Sequence, residues 1–267
     1  MPKKEFAFAG NAVEVKGVYF YYLSPEKSPL IPGIKTPFKR VTYHRQEALN
    51  RISLNIENGK ITALMGKNGS GKTSLIKLIT GVRVPQEGEI NVFGTHPSKV
   101  KERIGMCLGN TSIYYRLSGR ENLEYFGKLY RVANLTARIE ELAHVLQLEG
   151  RLDDVVESYS YGMKAKLALA RSMIHSPELL VLDEPTLGID YQLAVQIREF
   201  VRSLKCTVLL TTHYMEEADS LADNVCIIDR GNILEASRRS EILEKYRVNS
   251  LAEAYRVITD DKTRKAS

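Results

Sequence analysis

The chain alternates short apolar runs with segments in which apolar residues recur every three or four positions. Residues 12–22, AVEVKGVYFYY, alternate and carry β-branched and aromatic side chains, which predicts a strand. Two almost wholly apolar runs, LLVLDEP and TVLLTTH, flank the helical pattern of YQLAVQIREFVRSL. Because short apolar strands that alternate with helices are typical of a parallel sheet covered on both faces, the pattern predicts an α/β fold.

Other stretches predict the remaining elements. RISLNIENGKITALMG reads as two strands joined by the turn ENGK, as in an antiparallel hairpin, and NVCIIDRGNILEAS predicts a second hairpin around Gly231. From Lys101 to Ser176 the helical period dominates, and Ser118 with Glu121 forms a capping box. Residues 23–47 contain four prolines and several basic residues. Since proline blocks helices and ladders, we expect a surface insertion there.

Composition narrows the class of protein. With 267 residues, 43% of them hydrophobic and 26% charged, the chain is long enough for a full globular core. No apolar run approaches the roughly 18 residues of a membrane span, and the start lacks a secretory signal, so we expect a cytosolic chain. The three cysteines form no CxxC pair and are expected to be buried thiols. The formal charge of +6 fits an anionic partner or a solvated surface.

The segment GKNGSGKT, Gly66 to Thr73, fits the phosphate-binding loop pattern G-x-x-x-x-G-K-[ST]. It lies between the strand pattern ITALM and the helix pattern SLIKLITG, which is the context that the motif requires. Glycines let backbone N–H groups turn toward a phosphate, and the helix N-terminus adds positive potential. The motif predicts Lys72 on the β- and γ-phosphates and the Thr73 hydroxyl on Mg²⁺.

Two further strands end in polar side chains. Asp183 closes LLVLD and is placed at the sheet edge where ligands of α/β folds bind, so it is predicted to hold Mg²⁺. Glu184 follows it and is a candidate to orient or deprotonate an attacking water. His213 closes TVLLTTH at the same edge, which favours a functional role near the γ-phosphate.

A P-loop, then SYGMK at the start of a helix, then LLVLDEPTLGID, then TTH resembles the nucleotide-binding subunit of an ATP-binding cassette (ABC) transporter. The resemblance covers nearly the whole chain. It implies a P-loop NTPase core with a mostly parallel sheet, an antiparallel β lobe and a helical lobe at about 108–172, all within an ATPase domain spanning 1–236. Residues 237–267 would form a short helical tail, and the insertion would span 23–47. ATP and Mg²⁺ are the implied ligands.

The resemblance also assigns site residues. Ser160 and Gly162 stand in the family's signature turn, which meets the γ-phosphate bound by the other protomer, so a homodimer would clamp two ATP molecules. Catalysis is assigned to Glu184, His213 and Lys72, and the metal to Thr73, Asp183 and Asn110. The nucleotide-binding set is Tyr22, Gly66, Lys67, Asn68, Gly69, Ser70, Gly71, Lys72, Thr73, Ser74, Asn110, Ser160, Gly162, Asp183 and Asp190, the last as the acid of the dimer-contacting loop.

The chain departs from the family pattern in two places. Asn110 stands where members usually have Gln, and its shorter side chain favours a water-bridged contact with Mg²⁺ over a direct one. Tyr161 and Met163 replace Gly and Gln in the signature turn. The aromatic residue for adenine is less sharply defined: spacing favours Tyr22, and packing within the strand is an equal alternative.

The signature and the insertion resemble ATPases that export polysaccharides and lipid-linked polymers, whereas the C-terminal stretch resembles drug and lipid exporters. We expect a peripheral protein on the inner face of the cell membrane, held there by a separate integral membrane subunit, and no nucleic-acid partner. The basic insertion would contact that subunit or form a solvated loop. A soluble cassette ATPase acting on DNA or ribosomes would need a coiled coil or a second cassette. An ordinary P-loop kinase or GTPase would leave Ser160 and His213 unexplained.

Overall fold

A computed structural model describes residues 10–29, 39–108 and 113–265, whose strands form two sheets. The first sheet is antiparallel and consists of β1 (Asn11–Pro29), β2 (Lys39–Glu57) and β4 (Glu87–Val92). Its central strand is β1, which pairs with β2 on one side and with β4 on the other. This sheet covers one face of the second.

The second sheet contains β3 (Ile61–Met65), β5 (Ile104–Cys107), β6 (Leu179–Asp183), β7 (Thr207–Thr212), β8 (Asn224–Asp229) and β9 (Asn232–Arg238). The strand order is β5-β6-β7-β3-β8-β9. The first five strands are parallel, and β9 pairs antiparallel with β8 through the turn at Gly231. The predicted parallel sheet and the predicted hairpin around Gly231 are confirmed.

The helices follow the strands in chain order. They are α1 (Lys72–Ile79), α2 (Gly119–Leu129), α3 (Leu135–Val145), α4 (Tyr161–Met173), α5 (Tyr191–Ser203), α6 (Met215–Leu221), α7 (Arg239–Tyr246) and α8 (Leu251–Lys265). The capping box at the start of α2 is confirmed, since Ser118 accepts from the Glu121 backbone and the Glu121 carboxylate accepts from the Ser118 backbone.

The six-stranded sheet separates two apolar cores. Alternate strand residues such as Met65, Leu182 and Leu210 pack with helices α2 to α6, whereas their neighbours Leu64 and Val181 face the core beneath the antiparallel sheet and α1. Burying one such side chain stabilises the fold by about 1.5–3 kcal/mol. A strand whose two faces are both covered must be apolar throughout, which explains the unbroken runs in the sequence.

The predicted hairpin between β2 and β3 is wrong, because the two strands belong to different sheets. The connecting turn is fixed to β7: Gly59 N–H donates to the Thr207 hydroxyl at 2.9 Å, and that hydroxyl donates to the side chain of Asn58 at 2.9 Å. All five residues of β3 are buried. A strand with two apolar faces belongs between covered neighbours, and β3 accordingly lies between β7 and β8.

The expectation that the prolines of 23–47 prevent a ladder is also wrong. In the described part of this segment β1 and β2 continue as a two-stranded ribbon, in which Pro25 pairs with Tyr43 and Pro29 with Lys39. Pairing with β4 ends at Tyr19, so β1 has an open edge beyond that residue. Backbone N–H groups alternate in direction along a strand, so Pro25 and Pro29, four residues apart, both lack the N–H on the same side of β1. An open edge tolerates this, because no partner strand needs those donors there.

The helical pattern between Lys101 and Ser176 conceals β5, a four-residue edge strand that pairs with β6. Helices α2 and α3 and most of α4 occupy the segment predicted as a helical lobe. The C-terminal helices are not detached from the core: Leu251, Ala254 and Ile258 of α8 are buried in the core on the helical side of the sheet. The boundary predicted after residue 236 remains a prediction.

Candidate functional site

The loop Gly66–Gly71 connects the central strand β3 to α1. Its first and last glycines are required by close contacts with neighbouring strands. Gly71 adopts a φ of +113°, and a Cβ atom there would lie 2.7 Å from the Ala48 carbonyl oxygen. A Cβ on Gly66 would lie 2.4 Å from the carbonyl oxygen of Ile228. Only glycine fits these positions, so the loop passes tightly between β2 and β8 and presents its backbone at the sheet edge.

Lys72 reaches back from the first turn of α1 into this loop. Its Nζ donates to the carbonyl oxygens of Gly66 at 2.6 Å and Lys67 at 3.2 Å, and the residue is buried. Burial lowers the pKa of Lys72, while the negative charges of Glu184 and Asp183 act in the opposite direction. A desolvated cation held over a loop of backbone N–H groups is well placed to bind an anionic ligand.

At the end of β6, Thr211 of the adjacent strand fixes the two acids. The Thr211 hydroxyl donates to Asp183 Oδ1 at 2.5 Å and lies 3.1 Å from the Glu184 backbone N–H. Glu184 adopts a φ of +51°, a left-handed conformation that is costly for a residue with a side chain. Its backbone N–H also donates to the Thr211 carbonyl oxygen at 3.1 Å. The hydrogen bonds to Thr211 hold Glu184 in this strained turn.

The His213 imidazole lies beside Glu184 at the end of β7. Nδ1 is 3.3 Å from Glu184 Oε1 and forms no hydrogen bond with any described residue. The imidazole ring packs against the Tyr214 ring, with the two ring centroids 4.2 Å apart. The carboxylate and the imidazole are therefore close enough to contact the same water or the same ligand oxygen.

Two cavities meet at this edge of the sheet. One, of about 350 Å³, is bounded by the P-loop, α1, Tyr22, Gln46 and Glu184. The other, of about 300 Å³, is bounded by Thr73, Asp183, Glu184, Tyr161 and Leu187 among others. Thr73 and Glu184 line both. The structure thus brings together the predicted residues 68–74, Asp183 and Glu184, with His213 in contact through Glu184.

Tyr22 lies at the mouth of the P-loop cavity. Its hydroxyl is 3.2 Å from the Ser74 hydroxyl, and its ring packs edge-on against Phe20 with centroids 4.9 Å apart. Both alternatives from the sequence therefore retain support, because one edge of the ring packs in the strand while the residue also lines the cavity. Its contact with adenine stays a prediction.

Ser160 and Gly162 lie at the start of α4, apart from the P-loop cavity. Ser160 is exposed and caps the helix, accepting from the Met163 backbone N–H at 3.2 Å. Gly162 packs so closely on α5 that a Cβ would lie 2.3 Å from Leu193 Cδ2. Between them, the Tyr161 hydroxyl donates to the Leu187 carbonyl oxygen at 3.0 Å. The signature turn is therefore tied to the loop 187–190 of the same chain.

Asp190 closes that loop and caps α5 by accepting from the Leu193 backbone N–H at 3.0 Å. Asn110 falls outside the described residues, so its predicted role is untouched. Sequence reasoning missed Thr211, whose hydroxyl holds both Asp183 and Glu184. The first threonine of LLTTH was the available signal, since a hydroxyl at the end of a buried apolar strand needs a polar partner.

Residues 49–187 match the family of ABC transporters. This chain belongs to that family. The match begins in β2, runs through the P-loop and the signature turn, and ends just after Glu184. ATP-binding proteins of the ABC family are ATPases coupled to transport, and this chain is such an ATP-binding subunit.

Curated relatives in the family agree with this assignment. The chain is 37% identical over 198 residues to the ABC transporter ATP-binding protein NatA of Bacillus subtilis, a match covering 70% of this chain and 80% of that protein. It is also 37% identical over 206 residues to the Nod factor export ATP-binding protein I of Rhizobium meliloti, covering 74% of this chain and 62% of the relative.

The similarity in fold extends beyond the matched residues. A solved structure of an ATP-binding subunit of an ABC transporter superposes with a TM-score of 0.77, covering 93% of this chain and 99% of that one at 24% identity. Within the described residues, no helix has the length and apolar character needed to cross a membrane.

Proposed function

We propose that two copies of this chain bind two ATP molecules between them and drive export by a separate integral membrane subunit. The observation that carries the proposal is the arrangement at the sheet edge: Glu184 lies 3.3 Å from His213 and borders the P-loop cavity. Ser160, the exposed N-cap of α4, lines neither of the two cavities described above. A second copy would bring that turn to the open side of the cavity.

The P-loop and Lys72 would bind the ATP phosphates. Thr73 and Asp183 supply a hydroxyl and a carboxylate on one cavity, a donor set that suits Mg²⁺. Among the described residues there is no cluster of three or more acidic, histidine or cysteine side chains that would hold a metal ion without the nucleotide. Mg²⁺ therefore fits as an ion that enters with ATP, and when bound it supplies positive charge beside the phosphates.

Glu184 is proposed to orient and deprotonate the attacking water, and His213 to contact the γ-phosphate. The strained backbone at Glu184 supports this role, because strain of this kind collects where a side chain must be held in one position. Ser160 and the backbone at Gly162 would complete each site from the partner chain. Their helix N-terminus favours negative charge, as the γ-phosphate requires.

A complementation assay tests the shared site. We expect Glu184→Gln to retain ATP binding and to lower turnover by about 10²–10⁴-fold, the usual contribution of a positioned acid–base group. Ser160→Ala, made separately, should also lower turnover. When the two inactive variants are mixed, half of the random dimers contain one chain of each kind. Each such dimer has one intact site, so the mixture should recover about a quarter of wild-type turnover.

The mixing experiment also has an outcome that would contradict the proposal. If the mixture is no more active than its components at concentrations where the wild type is fully active, the reaction centre lies within one chain and the shared site is wrong. Ser158→Ala is the matched control, because Ser158 is exposed two residues earlier and its hydroxyl donates to the Val155 carbonyl oxygen. It should leave turnover unchanged.

The transport partner and cargo belong to the same proposal. A relative named for Nod factor export supports the direction of transport, and we propose a polysaccharide or lipid-linked polymer as cargo on the signature's resemblance. The chain would then lie on the inner face of the cell membrane. Co-purification from membranes with an integral membrane protein is expected. Co-purification with DNA or ribosomes would contradict the proposal, and a drug or lipid as the transported molecule would contradict the cargo.

A further inference from the structure

Glu217 is a buried acid that the mechanism above does not use. Glu217 is 1% exposed. Among the described residues, the only other charged residue that is buried is Lys72. No lysine or arginine in the described part of the chain forms an ion pair with it. A carboxyl group without a cationic partner is costly to bury, and such groups collect at functional sites.

The contact that Glu217 makes crosses between two loops of the site. Its Oε1 accepts a hydrogen bond of 2.8 Å from the hydroxyl of Thr186, which is itself 9% exposed. Thr186 lies two residues after Glu184, whereas Glu217 lies four residues after His213 in the first turn of α6. The hydrogen bond therefore joins the segment that carries the acid to the segment that carries the imidazole.

A helix-dipole explanation does not account for this arrangement. Acids in the first turn of a helix are favourable, and α6 has two, Glu216 and Glu217. Glu216 is exposed and satisfies that preference in water, while Glu217 shares the buried face of α6 with Ala218 and Leu221. The burial of the second acid needs another reason, and the bond to Thr186 supplies it.

Polar and charged side chains near His213 surround the Glu217 carboxyl group. Burial raises its pKa, while Thr212, Thr186, Arg198 and His213 act in the opposite direction. Oε2 makes no hydrogen bond of good geometry with any described residue. The Glu217 carboxyl group can therefore restrain the loop that carries Thr186 by accepting its hydrogen bond. Glu217 does not line the P-loop cavity, so it does not compete for a ligand there.

We propose that Glu217 is a positioning residue for ATP hydrolysis: through Thr186 it holds the loop after β6 against α6, so that Glu184 stays beside His213. The inference rests on the roles proposed for Glu184 and His213. Glu217 itself would touch neither ATP nor water. Its loss should slow the chemical step while leaving nucleotide affinity intact, because the P-loop contacts do not depend on it.

The test uses the full-length chain with Mg²⁺ and ATP, measuring kcat and the Kd for ATP separately. Glu217→Ala is expected to lower kcat by about tenfold or more, as for a misplaced catalytic group, with Kd within about twofold of wild type. Glu217→Gln should keep most of the activity, since its amide oxygen still accepts from Thr186. The matched control is Glu216→Gln, the same change on the exposed neighbour, which should have no effect.

Thr186→Val approaches the same bond from its other end with little change in size or charge, so it remains informative even if Glu217→Ala fails to fold. It should lower kcat as Glu217→Ala does, and the double variant should be no worse than the poorer single variant, because both remove one interaction. Wild-type kcat in Thr186→Val, or additive losses in the double variant, would overturn the inference. A normal kcat in Glu184→Gln would instead remove the proposed function on which it rests.

Discussion

Lys72 illustrates at the scale of one residue how a buried cation is kept ready for a ligand. In the free chain its ammonium group donates to two carbonyl oxygens of its own loop. We predict that Lys72→Ala weakens ATP binding about 10- to 100-fold, the loss expected for a charge-assisted contact. Nucleotide titration followed by fluorescence or calorimetry measures it. Lys60→Ala, at an exposed position before β3, is the control, and unchanged affinity in Lys72→Ala would argue against the phosphate cradle.

His175 gives a prediction on pH. Its ring stacks on Tyr130 with centroids 4.0 Å apart, and Nε2 lies 3.2 Å from the Ile104 carbonyl oxygen. Burial, with Arg171 and Arg138 nearby, lowers its pKa from 6.5 to about 4. Between these values the unfolded chain takes up a proton that the folded chain does not, so this residue makes the folded state less stable as pH falls from 6.5 toward 4.

We therefore expect His175→Phe, which keeps the stack on Tyr130, to lose less stability than the wild type over that range. The difference in slope should be at most about 1.4 kcal/mol per pH unit, the limit for one proton. Urea unfolding at several pH values measures it. His144→Phe is the control because His144 is exposed, and parallel curves for His175→Phe and the wild type would contradict the assignment.

At the scale of elements, the packing of the edge strand β5 against α4 depends on Gly105. The helical pattern of the sequence concealed this strand. A Cβ on Gly105 would lie 2.3 Å from the Ser172 carbonyl oxygen and 2.7 Å from Pro177 Cγ. Because the first of these atoms is backbone at the end of α4, the contact cannot be relieved by turning a side chain. Strand β5 and α4 approach each other closely only because this position lacks a side chain.

Gly105→Ala should accordingly lower the free energy of unfolding by about 1–3 kcal/mol, the cost of overpacking. Denaturant titration measures this directly. Gly150→Ala is the matched control, since a Cβ there would meet nothing within 4 Å and the backbone has no positive φ. Equal stability of the two variants would mean that β5 moves away from α4 without cost.

At the scale of the whole molecule, the ribbon formed by the ends of β1 and β2 is the part that departs most from the compact core. In its described residues, positions 23–29 pair only with 39–45. The exposed side chains of Leu23, Val41 and Tyr43 project from this ribbon. Such a ribbon is free to contact a membrane subunit while the ATP site turns over.

A shortened chain tests this role. Ser24 pairs with His44, so an Asn-Gly turn in place of residues 25–43 would close the same register. We predict that ATP hydrolysis by the shortened chain is unchanged, whereas transport in membranes containing the integral subunit is reduced. Tyr43→Ser in the full-length chain separates the loss of one apolar contact from loss of the ribbon. Normal transport by the shortened chain would identify the ribbon as a solvated extension.

The sequence alone predicted the P-loop, the paired acids at the end of β6 and the histidine after β7. Each of these features depends on residues adjacent in the chain, because a strand, a loop and a helix follow one another within about ten residues. Family membership was also predicted from the order of these motifs and is confirmed. The roles of Asn110 in metal binding and of Tyr22 in adenine binding remain predictions.

Only the tertiary structure decided which sheet receives β3, how β1 and β2 pair through a proline-rich segment, and which acid of α6 is buried. The sequence MEEAD contains Glu216 and Glu217 side by side, and the apolar face defined by Ala218 and Leu221 was the sole hint that they differ. Partners such as Thr186 lie about thirty residues away along the chain. Local patterns fix which elements form, but contacts between distant segments fix where a polar side chain finds its partner.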